Sequence, residues 1–185
     1  PTGAVIEVDY RVITGFKTPT TDKHLTILAD GSAEKVYEYE RETYDFILTD
    51  TDNVTSDTVN GNYPYGKVIN LTANSIDGYT FTKWSNDVTT NPYQITLTSD
   101  VTISPVYTDN TDTPYTVKHK YQHIDDDGFD EVVESNTVGT TDTIINVPYQ
   151  TLEGFIEPTT SQSLTILGDG SAEKVYEYVR ETHSF

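Results

Sequence analysis

The chain has 185 residues, of which 30 are acidic and 11 basic, giving a formal net charge of −19. A surface this negative repels phosphate backbones and excludes nucleic-acid binding by counterion release. The chain contains no cysteine, which excludes disulfides, thiolate zinc sites and thiol nucleophiles, and no apolar run approaches the roughly 18 residues of a membrane span, so no membrane insertion is expected in this segment.

An internal repeat is the strongest sign of organisation in the sequence. Leu25 aligns with Leu164, an offset of 139 positions, and residues 1–46 form a second copy of residues 140–185. The chain therefore shows one full period and about a third of the next, which predicts a tandem array. Because the chain begins at Pro1 without methionine, we expect it to be a window onto a longer periodic protein.

The period contains two kinds of module, which we name A and B. Residues 1–43 are predicted to be the C-terminal part of an A module, residues 44–109 a B module, and residues 110–185 a complete A module whose repeat proper begins at Thr113. The polar stretch 108–114 is the best linker candidate. Residues 1–43 lack a counterpart of residues 113–139, so the first hairpin of that module is missing from this sequence.

The last strand of module A has a predictable buried face because the chain contains it twice. Between residues 25–43 and 164–182 only two positions differ, Ala29 against Gly168 and Glu40 against Val179. An exchange of glutamate for valine is tolerated only on a largely solvated face. The tyrosines alternate with this position, and we predict that they face a core: Tyr37, Tyr39, Tyr176 and Tyr178.

Strand signals fill the rest of the chain. Alternating apolar residues predict strands at residues 69–73 and 116–123, and residues 95–103 predict a hairpin that turns near Ser99 and Asp100. No helical stripe continues beyond about two turns, so the fold class is predicted to be all-β, as small modules in tandem with little helix. Four Asx-Gly pairs predict tight turns: Asp30-Gly31, Asn60-Gly61, Asp127-Gly128 and Asp169-Gly170.

Module B carries an ordered series of motifs. They are G-x-V-x-x-x-T-A from Gly66, G-Y-x-F-x-x-W-S from Gly78 and D-V-T-I-x-P-V-Y from Asp100. Residues 44–109 thereby resemble the divergent internalin B-repeat, also called the Listeria-Bacteroides repeat.

Module A carries spaced aromatic residues and glycines, among them Tyr115, Gly139 and Gly154-Phe155. With these, residues 113–185 resemble the mucin-binding-protein (MucBP) repeat, and residues 1–43 resemble part of it. Both resemblances imply small β-grasp-like modules strung along Gram-positive surface proteins as stalks or adhesive arms. The implied location is extracellular, on the cell surface or in a surface filament.

Catalytic residues are not predicted anywhere in the chain. His24 and His183 are each absent from the sister copy. His119 and His123 are expected on one exposed strand face about 13 Å apart, too far to share a metal ion. No carboxylate pair lies in an apolar setting and no glycine-rich loop could hold a phosphate. We therefore expect no enzyme, and assign no catalytic, cofactor-binding or metal residues.

Acidic clusters keep one alternative open. Residues 125–131, 50–53 and 109–112 are rich in oxygen ligands, so Ca²⁺ at an acidic turn or at the junction between modules is considered, although the EF-hand spacing is not met. The preferred interpretation of residues 125–131 is a soluble hairpin tip. Trp84 is expected in the core rather than on a sugar-binding surface, and residues 63–65 are expected as an exposed turn.

Three functions remain open from the sequence. The first is a structural spacer in a secreted or cell-wall-anchored adhesin, whose partners are neighbouring repeats. The second is a module that binds a host mucin, glycan or protein. The third is a filament subunit in which one chain donates strands to the incomplete module of another copy.

Overall fold

A computed structural model describes residues 1–183, and within them every regular element is a β-strand. The prediction of an all-β chain is confirmed. Residues 1–183 contain no helix with the length and hydropathy needed to cross a membrane. The chain forms strands because it is rich in threonine, tyrosine, valine and isoleucine, which fit a pleated, half-buried surface.

The strands of residues 1–109 are β1 (Val5–Glu7), β2 (His24–Thr26), β3 (Thr43–Leu48), β4 (Val54–Ser56), β5 (Gly61–Pro64), β6 (Val68–Ala73), β7 (Tyr79–Trp84), β8 (Tyr93–Thr96), β9 (Val101–Ile103) and β10 (Pro105–Asp109). Those that follow are β11 (Thr113–Pro114), β12 (Thr116–Gln122), β13 (Phe129–Val133), β14 (Val138–Gly139), β15 (Ile144–Asn146), β16 (Phe155–Ile156), β17 (Ser163–Thr165) and β18 (Glu173–Arg180).

The first of two compact units comprises Pro1–Ala73 and Trp84–Pro105. Its central strand β3 pairs antiparallel with β5 and parallel with β9. A second sheet places β6 between β4 and β8, both antiparallel to it. Strands β1 and β2 form a separate antiparallel pair.

The core of this unit follows the alternation predicted from the sequence. Along β6 the residues Ile69, Leu71 and Ala73 are buried, while those between them are exposed. Trp84 is fully buried and its ring N–H donates to the carbonyl of Thr90 at 3.0 Å, which confirms its core position. Burial of such a side chain contributes several kcal/mol to stability.

The second unit comprises Asn74–Lys83 and the described residues from Val106 onward. Its main sheet has the order β13-β12-β18-β16, in which β12 and β18 are parallel and the outer strands antiparallel. The two central strands, β12 and β18, are parallel to each other, and the described part of this unit contains no helix. Shorter pairs are β10-β7, β11-β14 and β15-β17.

The core of the second unit contains Val117, Val147, Tyr176 and Tyr178. The predicted inward face of β18 is therefore confirmed, and Val179 on the opposite face is 42% exposed. Burial raises the pKa of both tyrosine hydroxyls, so they remain protonated donors at neutral pH. In the partial copy, Tyr37 and Tyr39 are only half-buried.

One local prediction was wrong, and a second was confirmed only in part. Residues 95–103 do not form a hairpin, because β8 pairs with β6 whereas β9 pairs in parallel with β3. Of the four Asx-Gly pairs, only Asp127-Gly128 joins two paired strands, β12 and β13. At the equivalent Gly31 and Gly170 the backbone φ is +74°, which glycine adopts without strain, so turns form there, but neither turn joins two strands of one sheet.

Candidate functional site

The buried histidine of the second unit corrects an expectation. His119 is 1% exposed instead of lying on a free strand face. Its Nδ1 is 2.9 Å from the hydroxyl oxygen of Tyr178, and its Nε2 is 2.9 Å from a carboxylate oxygen of Glu134. It shares the inward face of β12 with Val117, which is the sequence signal that indicates burial. The ring joins β12 to β18 as part of the core.

The acidic tip of the β12–β13 hairpin is held by one histidine. His123 Nδ1 lies 2.7 Å from a carboxylate oxygen of Asp126, and its Nε2 lies 3.2 Å from Asp130. Asp126 also accepts the backbone N–H of Gly128 at 2.7 Å. These contacts raise the pKa of His123, chiefly through Asp126, while the Gly128 N–H and then His123 lower the pKa of Asp126.

We expect His123→Gln to flatten the pH dependence of hairpin stability. Because the folded-state pKa is raised above 6.5, protonated His123 contributes stability that is fully present below the unfolded pKa and is lost as pH rises through the folded pKa. Hydrogen exchange of the β12–β13 amides, measured as opening free energy between acidic and mildly alkaline pH, checks this. An unchanged profile in the variant would contradict it, and Asp126→Asn should reproduce most of the flattening.

In the acidic cluster at residues 50–53, the Asp50 carboxylate is occupied by protein donors. Asp50 accepts the backbone and side-chain N–H groups of Asn53 at 3.1 and 3.0 Å, closing a local turn. Among residues 1–183, no group of three or more histidine, aspartate or glutamate side chains is arranged to hold a metal ion.

The predicted junction at residues 109–112 is fixed by direct hydrogen bonds within the second unit. Asn110 donates its N–H to the carbonyl of Gly78 at 2.8 Å, accepts the N–H of Thr141 at 3.0 Å, and accepts the hydroxyl of Thr80 on its side chain at 2.6 Å. The buried Thr141 hydroxyl donates to the carbonyl of Gly78 at 2.8 Å. The loop from module B and the first turn of module A are thus bonded to each other.

A close backbone approach completes this contact. A Cβ placed on Gly168 would lie 2.3 Å from the carbonyl oxygen of Asp77, and one placed on Gly78 would lie 2.3 Å from the Cα of Gly168. The partial copy has Ala29 where the complete copy has Gly168. One of the two differences between residues 25–43 and 164–182 therefore lies where module B touches module A.

Tyr65 makes the corresponding contact in the first unit. It was expected in an exposed turn, but Tyr63 lies in β5 and Tyr65 is half-buried against Gly15, where a Cβ would lie 2.2 Å from the ring. Its N–H donates to the carbonyl of Glu42 at 2.8 Å, and its carbonyl accepts from Arg41 at 3.2 Å. Distant segments supply this burial, so a local pattern does not reveal it.

We expect Gly15→Ala to destabilise the chain by about 1 kcal/mol more than Gly154→Ala. The two glycines are equivalent, with φ of +78° and +80°, so both substitutions carry the same left-handed strain. Only Gly15 meets a neighbouring ring, whereas nothing lies within 4 Å of a Cβ at Gly154. Chemical denaturation of both variants checks this, and equal losses would show that Tyr65 moves aside freely.

The partial A module keeps the hydrogen bonds of the complete one. The Tyr37 hydroxyl donates to the carbonyl of Val8, as that of Tyr176 donates to Val147. The Tyr39 hydroxyl accepts the N–H of Arg11 at 2.8 Å, and the Tyr178 hydroxyl accepts that of Gln150 at 2.9 Å. Strands β1 and β2 also share the register of β15 and β17.

One edge of the partial module is open. We use the name open edge for residues 34–41, the counterpart of β18. Within residues 1–183 no strand occupies the side of this segment that β12 occupies on β18, and residues 34–40 are not assigned to a strand. Ala33, Tyr37 and Tyr39 are half-buried, whereas their counterparts Ala172, Tyr176 and Tyr178 are buried.

Two neighbouring outward-facing residues differ together between the partial and the complete copy of module A. On the partial copy Lys17 Nζ lies 3.1 Å from Glu40, and at the same places in the complete copy Ile156 pairs with Val179. Both pairs are substantially exposed. This confirms that the face of Glu40 and Val179 is solvated.

Comparison with known proteins bears on module B. Searches of curated proteins and of solved structures each found no significant match. The resemblance of residues 113–185 and 1–43 to the MucBP repeat therefore stays a prediction. The three motifs of module B fall on β6, on β7 and across β9 and β10. Residues 44–111 match the family model of the divergent InlB B-repeat domain, a family found in bacterial surface proteins, and this stretch is similar to such a repeat.

Proposed function

We propose that this chain is a structural spacer, a tandem-repeat segment of a secreted or cell-wall-anchored bacterial adhesin that holds other domains away from the cell. The observation that carries the proposal is the recurrence of module A at an offset of 139 residues with a B-type repeat between the copies. Such an array gains stability from each module and from each contact between neighbours.

Contacts between consecutive modules support this role. In the first unit Tyr65 of module B packs on Gly15 of the partial A module. In the second unit Asn110 and Thr141 bind the carbonyl of Gly78. A spacer benefits from bonded boundaries because each one limits free rotation where two modules meet.

The acidic composition also supports it. The net charge of −19 keeps a chain of exposed strands soluble and opposes pairing between like-charged copies. A chain without cysteine or methionine also tolerates oxidation outside the cell. The proposal gives the chain no catalytic role and no cofactor.

The test compares recombinant chains that contain one, two and three complete 139-residue periods. Small-angle scattering should give a maximum dimension that rises linearly with the number of periods. A dimension that stays nearly constant would overturn the proposal. Purified mucin serves as the second arm: a spacer shows no saturable affinity, whereas saturable binding that persists in a single period would favour the host-binding alternative.

A further inference from the structure

We propose that module A is a mechanical clamp: under tension along the chain, strands β12 and β18 are loaded in shear and resist unfolding more strongly than module B does. The use of such a clamp in the cell rests on the proposed spacer function. Resistance to force is a further property, because a spacer of the right length could still yield at a small load.

Tension enters and leaves module A at opposite ends of these two strands. The chain runs from module B through Asn110 into β12, which begins at Thr116. Residues 34–41, the counterpart of β18, continue directly into module B at Thr43, so an A-type module passes load on from the end of that strand. Because β12 and β18 are parallel, the loaded ends at Thr116 and Arg180 lie at opposite ends of the pair. Pulling therefore slides the strands along each other instead of peeling them apart.

Shear distributes the load over the whole strand pair. Residues Thr116–Tyr121 are in register with Glu173–Tyr178. The Thr116 N–H also donates to the carbonyl of Ala172 at 2.9 Å. At the other end, Arg180 donates its backbone N–H to the side-chain oxygen of Gln122 at 2.9 Å and its Nε–H to the Gln122 carbonyl at 3.0 Å. In shear these bonds share the load, whereas peeling breaks them one after another, so the barrier to forced unfolding is higher in shear.

Side chains on both faces cross the boundary between β12 and β18. On the buried face the His119 ring stacks at 5.7 Å from the Tyr178 ring, and its Nδ1 lies 2.9 Å from the Tyr178 hydroxyl. Tyr121 stacks on Tyr178 at 5.1 Å. On the outer face Lys118 Nζ lies 2.7 Å from Glu173. Sliding would force the rings past one another and separate the ion pair, so these contacts add to the resistance of the backbone bonds.

Module B has the same arrangement in a shorter form. Its strands β3 and β9 are parallel, and the register covers Phe46–Leu48 and Val101–Ile103. The Thr49 N–H extends the pair by donating to the carbonyl of Ile103 at 3.0 Å. Three residue pairs here, against six between β12 and β18, predict that module B unfolds at the lower force. A stretched array would then lengthen first through its B modules while its A modules stay folded.

The first test applies force to the full chain through pairs of introduced cysteines, since the sequence has none of its own. Asp112→Cys with Thr182→Cys loads β12 and β18 in shear, whereas Asp112→Cys with Ser171→Cys pulls their neighbouring ends apart and peels them. All three positions are exposed, and the shared handle at residue 112 makes any resistance from β11 common to both geometries. We expect an unfolding force about threefold higher in shear at the same loading rate. Equal forces in the two geometries would overturn the proposal.

The second test stretches the full chain between Thr43→Cys and Thr182→Cys, so that both modules carry the load. Lys118→Glu places two glutamates opposite each other across the clamp and should make the stronger unfolding event about fivefold faster at constant force, with the weaker event unchanged. The matched control adds Glu173→Lys, which restores an oppositely charged pair and should restore the rate. If Lys118→Glu altered only the weaker event, or neither event, module A would not be the stronger element and the proposal would fail.

The force measurements and the scattering test of the spacer fail separately. Arrays whose maximum dimension does not rise with the number of periods would overturn the spacer function, while the difference between shear and peeling would remain. Equal forces in the two geometries would remove the clamp and leave the scattering result unchanged.

Discussion

Tyr178→Ala is expected to lower the free energy of unfolding of the second unit by about 3–5 kcal/mol, whereas Tyr39→Ala should cost the first unit much less. Both residues occupy the same position of a repeated sequence and bind an equivalent backbone N–H. They differ in exposure, because Tyr178 is buried beside His119 and Tyr121 of β12, whereas Tyr39 is half-exposed at the open edge. The difference between the two variants therefore measures how much the neighbouring strand β12 adds to the stability that this tyrosine provides.

The larger loss has two physical parts. Removing the Tyr178 ring leaves a cavity between Tyr121 and Phe155, which pack against it. It also takes away the hydroxyl that lies 2.9 Å from His119, leaving a polar ring nitrogen buried without that partner. An unsatisfied buried group carries its own desolvation cost.

Amide exchange resolved by residue is the suitable measurement, because a chain with two compact units need not unfold in a single transition. The sole tryptophan, Trp84, lies in the first unit and provides an independent fluorescence probe of it. Tyr178→Ala should leave the fluorescence transition in place while lowering protection along β12 and β18. Equal losses for the two variants would show that β12 adds little to the burial of this ring.

Local alternation predicted the buried faces where a strand lies at the centre of a sheet. Ile69 and Leu71 on β6, and Tyr176 and Tyr178 on β18, are buried as expected because neighbours cover the face that carries them. The same pattern failed for residues 95–103. Parallel pairing of β9 with β3 joins segments that are far apart in sequence, and no turn signal reports such a pairing.

At the candidate site, the main wrong prediction concerned a polar residue on a buried strand face. His119 is polar and was expected at the surface. Its burial depends on Tyr178, which is far away in sequence and reaches His119 only when β18 pairs with β12. The missing hairpin of the partial module was evident from the sequence. That the partial copy keeps the tyrosine hydrogen bonds of the complete copy required the structure.

Outside the cores, we expect substitutions at the contact between modules B and A to cause the largest loss of stability. Gly168→Ala is expected to destabilise the second unit by about 3 kcal/mol, although alanine stands naturally at the equivalent Ala29. The new Cβ would lie 2.3 Å from the carbonyl oxygen of Asp77, so the backbone of that loop must move. Movement there would weaken the bonds that Asn110 and Thr141 make to Gly78.

The reciprocal variant, Ala29→Gly, is the matched control and should cost less than about 1 kcal/mol, because Ala29 is exposed and glycine adds only backbone freedom to the unfolded chain. Thermal unfolding of both variants, with amide exchange at Asn110 and Thr141, distinguishes a local effect from a global one. We expect Gly168→Ala to lose protection at these two amides first, while Ala29→Gly leaves them unchanged. If Gly168→Ala destabilised the chain no more than Ala29→Gly, the loop at Asp77 would have to move easily. The contact between modules B and A could then not limit the motion of neighbouring modules in a spacer.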